Sequence, residues 1–328
     1  MKLVYMGTPD FAVGPLEAII RAGHEVSAVV TQPDKQKGRG REVQMSPVKK
    51  CALKYGIPVF QPVKIREEDS IRQLSLYPAD IFVVAAFGQL LPEKILNMPR
   101  LGCINIHASL LPAYRGAAPI SWVIINGETR TGVTIMQMAK GLDTGDMLLK
   151  EEVLIEAKET EESLHDKLME AGARLIVKAL PKIEKGELTP QKQDDALSSY
   201  AAKLDKSMGL IDWEKDAPSL ERLVRGLNPW PSAYTHYKGK TLKIWESDVV
   251  KEHESGDGQE NGAPFEKESP KPGQVAFVGK EFFDVVTGDG LLRIYSLQLE
   301  GKRRMSVKEF LLGYEIVPGL KLGKAEMR

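Results

Sequence analysis

The chain has 328 residues, 42% of them hydrophobic and 27% charged, a composition that suits a soluble globular protein of two domains. Lys plus Arg and Asp plus Glu both total 45, so whole-chain charge points to no particular partner. Two cysteines, Cys51 and Cys103, lack CxxC spacing, which speaks against a disulfide framework or a zinc site and for reduced, buried thiols in a cytoplasmic protein. The opening MKLVYMGTPD has neither the apolar core of a signal peptide nor the Arg-rich character of a transit peptide, and no apolar run approaches a membrane span.

In chain order, KLVYM (2–6) reads as a strand. A helix is expected from Pro9 or Asp10, with Phe11, Leu16, Ile19 and Ile20 on its buried side. Val26 to Val30 forms the second strand. Ser46-Pro47 is a helix start, an N-cap followed by Pro, and Gly56 a stop. IFVVAAF (81–87) is apolar on both faces, as a central parallel strand should be. A Pro92-initiated helix, a strand over 103–107, a helix over 118–126 and a strand over 131–138 follow. This alternation predicts an α/β fold with a Rossmann-like, doubly wound, mostly parallel sheet and ligands beyond the carboxyl ends of its strands.

After residue 138 the pattern changes. EEVLI (151–155) is one more strand, and Thr160 to Lys185 is helical with a break or kink expected near Pro181. The polar stretch 189–206 reads as a linker between a first domain over 1–188 and a second over 207–328. The second holds a short helix (218–226) and short strands at YTHYK, TLKIW, GQVAFV, FFDVVT and LLRIYSLQL, a pattern that predicts a small β-barrel, OB-like, or a sandwich. Residues 246–272 interrupt it with a charged, Gly/Pro-bearing loop. Residues 205–328 carry 19 Lys/Arg and 20 Asp/Glu, of which 246–268 holds 2 and 8, leaving 17 against 12 elsewhere. A basic barrel with a cluster at Lys302, Arg303 and Arg304 is compatible with a polyanion as well as with a solvated surface.

The stretch 103–116, CINIHASLLPAYRG, places Asn105 and His107 two residues apart on one strand. Their side chains therefore leave the same face, roughly 6.6 Å apart along it. An Asn amide and an imidazole together suit a polarised carbonyl, one as a fixed donor, the other as a donor or proton shuttle. Asp143, in the Gly-bracketed run KGLDTGD after strand 131–138, is expected at the same edge of the sheet as a partner for the imidazole. Such a set would stabilise an oxyanion and move protons in acyl transfer. On these residues alone a structural role for the pair remains equally open.

MGTPD after the first strand is neither GxGxxG nor a Walker A loop, and the chain contains no HExxH and no GxSxG. N-I-H followed by S-L-L-P, with the later G-L-D-T-G-D, resembles the signature of the folate-dependent formyltransferases. MGTPDFAV (6–13), TQPDKQKGRG (31–40), FGQLLP (87–92), GLIDW (209–213) and VRGLNPWPSAY (224–234) extend the likeness over nearly the whole chain, toward the branch that acts on initiator tRNA.

The resemblance implies a cytoplasmic, monomeric enzyme of translation initiation. Its formyl donor would be 10-formyltetrahydrofolate, with no metal, and its acceptor the α-amino group of methionyl initiator tRNA. That amine must be neutral to attack; in peptides it titrates at about 7.7–8.0. Asn105 and His107 would stabilise the oxyanion, and Asp143 would orient His107 and help remove the amine proton. Ser109, Leu110, Leu111 and Pro112 with Phe87, Gly88 and Leu90 would line the folate slot. In the basic loop 34–43, Arg39 would be the main contact to the acceptor end, with Lys35, Lys37 and Arg41 on phosphates and Arg303 and Arg304 on the barrel. A sugar-amine or glycinamide-ribonucleotide formyltransferase leaves the basic loop and RGLNPWP unexplained. A non-catalytic binding module leaves Asn105, His107 and Asp143 unexplained, and a nucleotide-dependent oxidoreductase lacks its glycine fingerprint. Arg39→Ala is expected to weaken use of charged initiator tRNA while leaving folate affinity nearly unchanged in steady-state kinetics; equal loss of both contradicts a dedicated RNA contact.

Overall fold

The computed structural model of the chain describes residues 1–37, 42–250 and 270–323. The first elements are β1 (Lys2–Gly7), α1 (Val13–Arg21), β2 (Glu25–Val30), β3 (Lys35–Lys37), β4 (Glu42–Gln44), α2 (Pro47–Lys54), β5 (Val59–Phe60) and α3 (Glu68–Leu74). Next come β6 (Ile81–Ala85), α4 (Glu93–Leu96), β7 (Cys103–His107), β8 (Arg115–Gly116), α5 (Pro119–Ile125), β9 (Arg130–Gln137), β10 (Met147–Leu154), α6 (Glu161–Lys185) and β11 (Tyr200–Ala201). The chain continues through α7 (Ala217–Gly226), β12 (Ala233–Tyr237), β13 (Lys240–Val249), β14 (Val275–Val278), β15 (Phe283–Val286), β16 (Leu291–Leu299), β17 (Met305–Ser306) and α8 (Val307–Leu311). Two compact units result: Met1–Pro119, Thr129–Ile155 and Ser163–Ala202 in the first; Ile120–Glu128, Glu156–Glu162 and the chain from Lys203 in the second.

In the first unit seven strands form one sheet in the order β10-β9-β7-β6-β1-β2-β5. The strands β5, β2, β1, β6 and β7 run parallel, and the order reverses between β1 and β6, as in a doubly wound fold. Ser46 caps α2 by accepting from the Lys49 N–H at 3.1 Å, as its Ser-Pro start predicts. The face of α6 that carries Leu164, Leu168, Leu175 and Ile176 is buried, and Gly172 lets the helix approach Ile106. The helix runs through Pro181 without the expected break, since the residue lies in its closing turns and removes one bond near the end.

Beyond β7 the parallel order stops. β9 is antiparallel to β7, and β10 antiparallel to β9. Only residues 138–146 join these last two strands, too few for the crossover that a parallel pair needs. The stretch expected to serve as a linker is in part built into the first unit: β11 pairs with β8, and Gln191 forms a bridge with Met147.

The second unit is an antiparallel sheet in the order β12-β13-β16-β15-β14, with β17 on β16. Its core holds Leu220, Phe283, Leu292, Ile294 and Phe310. The expected barrel is not closed by a β12–β14 ladder among the described residues. Instead the segment 319–323 bonds to both edges: Leu322 N–H donates to Gly273 O at 2.7 Å, and Gly323 N–H to His236 O at 3.0 Å. The charged insertion begins later than expected, because β13 continues to Val249; residues 251–269 lie outside the described residues, as do Arg39 and Arg41.

Candidate active site

Cys103, Asn105 and His107 alternate onto one face of β7. Cys103 lies beside Phe82, Asn105 between Val84 and Met136, and His107 beside Thr134. The first row is ordinary core, with Phe82 and Cys103 each 1% exposed. The Cys103 thiol donates to Ile95 O of α4 at 3.5 Å, and burial pushes its pKa up to about 12, so it is no nucleophile at neutral pH. Polar side chains begin only in the next two rows. The Asn105 amide has no hydrogen bond to another described residue and is partly open.

His107 is 5% exposed. Its Nε2 lies 2.9 Å from Tyr114 O. A carbonyl oxygen only accepts, so Nε2 carries the hydrogen, and in the neutral ring Nδ1 is the bare nitrogen. Nδ1 faces the Asp143 carboxylate, with Oδ2 at 3.8 Å. The same Oδ2 accepts from Gly116 N–H at 2.9 Å. Tyr114 and Asp143 both adopt left-handed backbone, with φ of 60° and 52°, a conformation that costs about 1–2 kcal/mol for a residue with a Cβ. The surrounding bonds must hold both.

The meeting of Asp143 with His107 does not come from a shared strand edge, as expected above. β9 runs opposite to β7, so Gln137 at its carboxyl end lies level with Ile104, roughly 10 Å below His107. The loop 138–146 has to climb back over the sheet face. Gly145 permits this, since a Cβ there would strike Gln137 O. Two bonds from the buried Gln193 hold the returning loop, from Nε2 to Asp143 O at 2.8 Å and to Gly145 O at 2.7 Å.

The family model described as formyl transferase matches residues 1–180, and that of the formyl transferase C-terminal domain matches residues 203–315. The chain belongs to the formyl transferase family.

It is 53% identical over 324 residues to a methionyl-tRNA formyltransferase of Lachnospira eligens, covering 99% of this chain and 100% of that one. Against the enzyme of that name from Geobacter metallireducens it is 49% identical over 323 residues, 98% and 99% of the two chains. Among solved structures it is similar to an N-formyltransferase of Helicobacter canadensis in complex with folinic acid and dTDP-3-aminofucose. That match has a TM-score of 0.63 and 18% identity, over 93% of this chain and 100% of that one. HypX of Aquifex aeolicus, in complex with tetrahydrofolic acid, matches with a TM-score of 0.62 and 18% identity, over 95% and 47% of the chains.

The segment 109–112 leaves β7 over β9 and is tied down by Thr134, which is fully buried. Thr134 Oγ1 donates to Ser109 O at 2.7 Å and accepts from Leu111 N–H at 3.2 Å. Ser109 Oγ closes the turn onto Ala113 O at 2.7 Å, and Lys150 Nζ donates to Leu111 O. Leu111 packs with Met136 and Met147, so it reinforces the wall beside Asn105, while Leu110 and Pro112 are half-buried. Phe87 is 2% exposed and packs in the core. Gly88, at φ 83°, and the exposed Leu90 follow it, and Leu142 beside Asp143 is also exposed.

Lys35 is exposed, and the side chain of Lys37 is not described. In the second unit Arg303 and Arg304 are both exposed. Arg303 donates to Glu309 at 3.1 Å; Arg304 donates to Ser296 Oγ at 3.1 Å and lies 5.2 Å from the Trp245 ring centre. Thr134, Gln193 and the Tyr114 carbonyl were not among the sequence candidates. Thr134→Val keeps the shape of the side chain but strips the buried Leu111 N–H of its partner. We expect the first unit to lose about 1–3 kcal/mol in denaturant unfolding, with Thr134→Ser restoring most of it; equal stability of the Val variant contradicts the role given to this hydroxyl.

Proposed function

We propose that the chain transfers the formyl group of 10-formyltetrahydrofolate to the α-amino group of methionyl initiator tRNA. The observation that carries this reading is end-to-end likeness, at about half identity, to relatives of that one activity in both domains. The geometry of Asn105, His107 and Asp143 supports it.

The acceptor amine attacks the formyl carbon, a C–N bond forms, and the bond to N10 of the folate breaks, with one proton passing from the amine to N10. Asn105 donates its amide hydrogen to the developing oxyanion. It is suited to this because no described protein group already takes that hydrogen. His107 handles the proton at Nδ1, since Nε2–H is committed to Tyr114 O. Asp143 keeps a carboxylate opposite Nδ1, and the 3.8 Å separation closes when the ring takes up charge. The formyl donor would lie beside the pair, with the exposed apolar side chains of Leu90 and Leu142 and the backbone of Gly88 as its contacts. Ser109, Leu110, Leu111 and Pro112 form the wall behind, steadied by Thr134.

Residues 1–188 would serve as the catalytic domain and 207–328 as the RNA-binding domain, joined through 189–206. Arg39, with Lys35, Lys37 and Arg41, would contact the acceptor end, and Arg303 and Arg304 the tRNA backbone. Among the described residues no helix is long and apolar enough to cross a membrane, and no cluster of His, Cys, Asp or Glu suits a metal. We place the protein in the cytoplasm as a monomer.

Incubated with formyl folate, the protein should formylate charged initiator tRNA and leave uncharged tRNA and small amines unmodified. Asn105→Ala and His107→Ala should each lower kcat by about 10²–10³, and Asp143→Asn should fall with them. Near-normal turnover in these variants contradicts the assigned roles.

A further inference from the structure

Gln193 lies in sequence far from the reacting groups, in a stretch that reads as linker, yet it is 5% exposed. Every polar atom of its amide is spoken for. Nε2 uses both hydrogens on backbone carbonyls of the Asp143 loop, those of Asp143 and Gly145. Oε1 accepts from Arg115 Nε at 2.9 Å. Arg115 sits between Tyr114, whose carbonyl fixes the imidazole, and Gly116, whose N–H holds the Asp143 carboxylate. One amide thus joins the two loops that grip His107 from its two nitrogens.

Those loops have to be held in place. Their key residues, Tyr114 and Asp143, both have left-handed backbone that the chain abandons unless it is held. The segment carrying Gln193 is itself laced to both sides. Ser199 Oγ accepts from Tyr114 N–H at 2.8 Å, Ser199 O accepts from Arg115 N–H at 2.9 Å, and Gln191 exchanges two 2.8 Å bonds with Met147. Gly116 is required here as well, because a Cβ would meet Ala201 O at 2.7 Å.

We propose that Gln193 is a positioning residue for formyl transfer: its amide sets the Asp143 carboxylate against His107 Nδ1 by clamping loop 143–145 to loop 114–116. This rests on the reading of Asp143 and His107 as the proton-handling pair. The amide touches no substrate and acts only through Asp143.

The test compares Gln193→Met, which keeps volume and removes all three bonds, with Gln193→Glu, which keeps the Arg115 bond but turns an acceptor toward two carbonyls. Both are made in the wild-type enzyme and in Asp143→Asn, and assayed for formyl transfer to charged initiator tRNA. We expect kcat to fall about 100-fold in the wild-type background, as for a catalytic group displaced by an ångström, with KM for folate and tRNA changed less than about threefold. In Asp143→Asn the second substitution should change kcat less than about twofold, because the residue it acts through is already lost. A kcat within about threefold of wild type for both variants, a loss confined to KM, or an equal further loss in Asp143→Asn overturns the proposal. If neither variant folds, Gln193 is a general structural residue and the proposal is also overturned. A fully active Asp143→Asn enzyme removes the reading on which it rests.

Discussion

The site depends on one hydrogen bond, from His107 Nε2 to the carbonyl of Tyr114. Because a carbonyl cannot donate, this bond decides which nitrogen of a nearly buried imidazole is bare. It turns Nδ1 toward Asp143, on the face of β7 that also carries Asn105 and on which the proposed transfer takes place. In the other tautomer the bare Nε2 and the Tyr114 carbonyl oxygen would face each other with lone pairs at 2.9 Å and no hydrogen between them. The left-handed turn at Tyr114, the bond from Gly116 to the carboxylate and the returning loop 138–146 all serve this orientation.

Placing a polar pair on a central strand is unfavourable unless each group is matched, and the fold handles the two differently. His107 is satisfied at one nitrogen and faces a carboxylate at the other. Asn105 has no hydrogen-bond partner among the described residues and is partly exposed. In the proposed reaction, a donor already held in position needs no reorganisation when charge develops on the formyl oxygen. One row below, Cys103 occupies the same face as a buried neutral thiol bonded to α4, part of the ordinary core.

Much of this architecture follows from local sequence. The strand–helix alternation, the Ser46 cap, the apolar strand over 81–85 and the paired side chains of Asn105 and His107 are consequences of periodicity and capping that a reader of the chain can derive. The antiparallel turn at β9 is not, because strand direction depends on tertiary pairing and leaves the alternation of residues unchanged. Asp143 was identified by motif, but the reason offered, a shared sheet edge, fails; a glycine-bracketed loop that doubles back does the work. The carbonyl of Tyr114 has no signature at all, since every residue has one. Gln193 is hidden for a different reason: a polar residue in a polar stretch reads as solvated, and its partners, Arg115 and the carbonyls of Asp143 and Gly145, are far away in sequence.

The account is tested most directly by the protonation state of the His107 ring in the free enzyme. Nitrogen-15 NMR of histidine-labelled protein, recorded with the ring neutral and assigned against His107→Ala, distinguishes the tautomers. The hydrogen-bonding pattern requires a protonated Nε2 and a bare Nδ1. A ring protonated at Nδ1 with bare Nε2 would break the bond to Tyr114 and contradict the orientation on which the proton path rests.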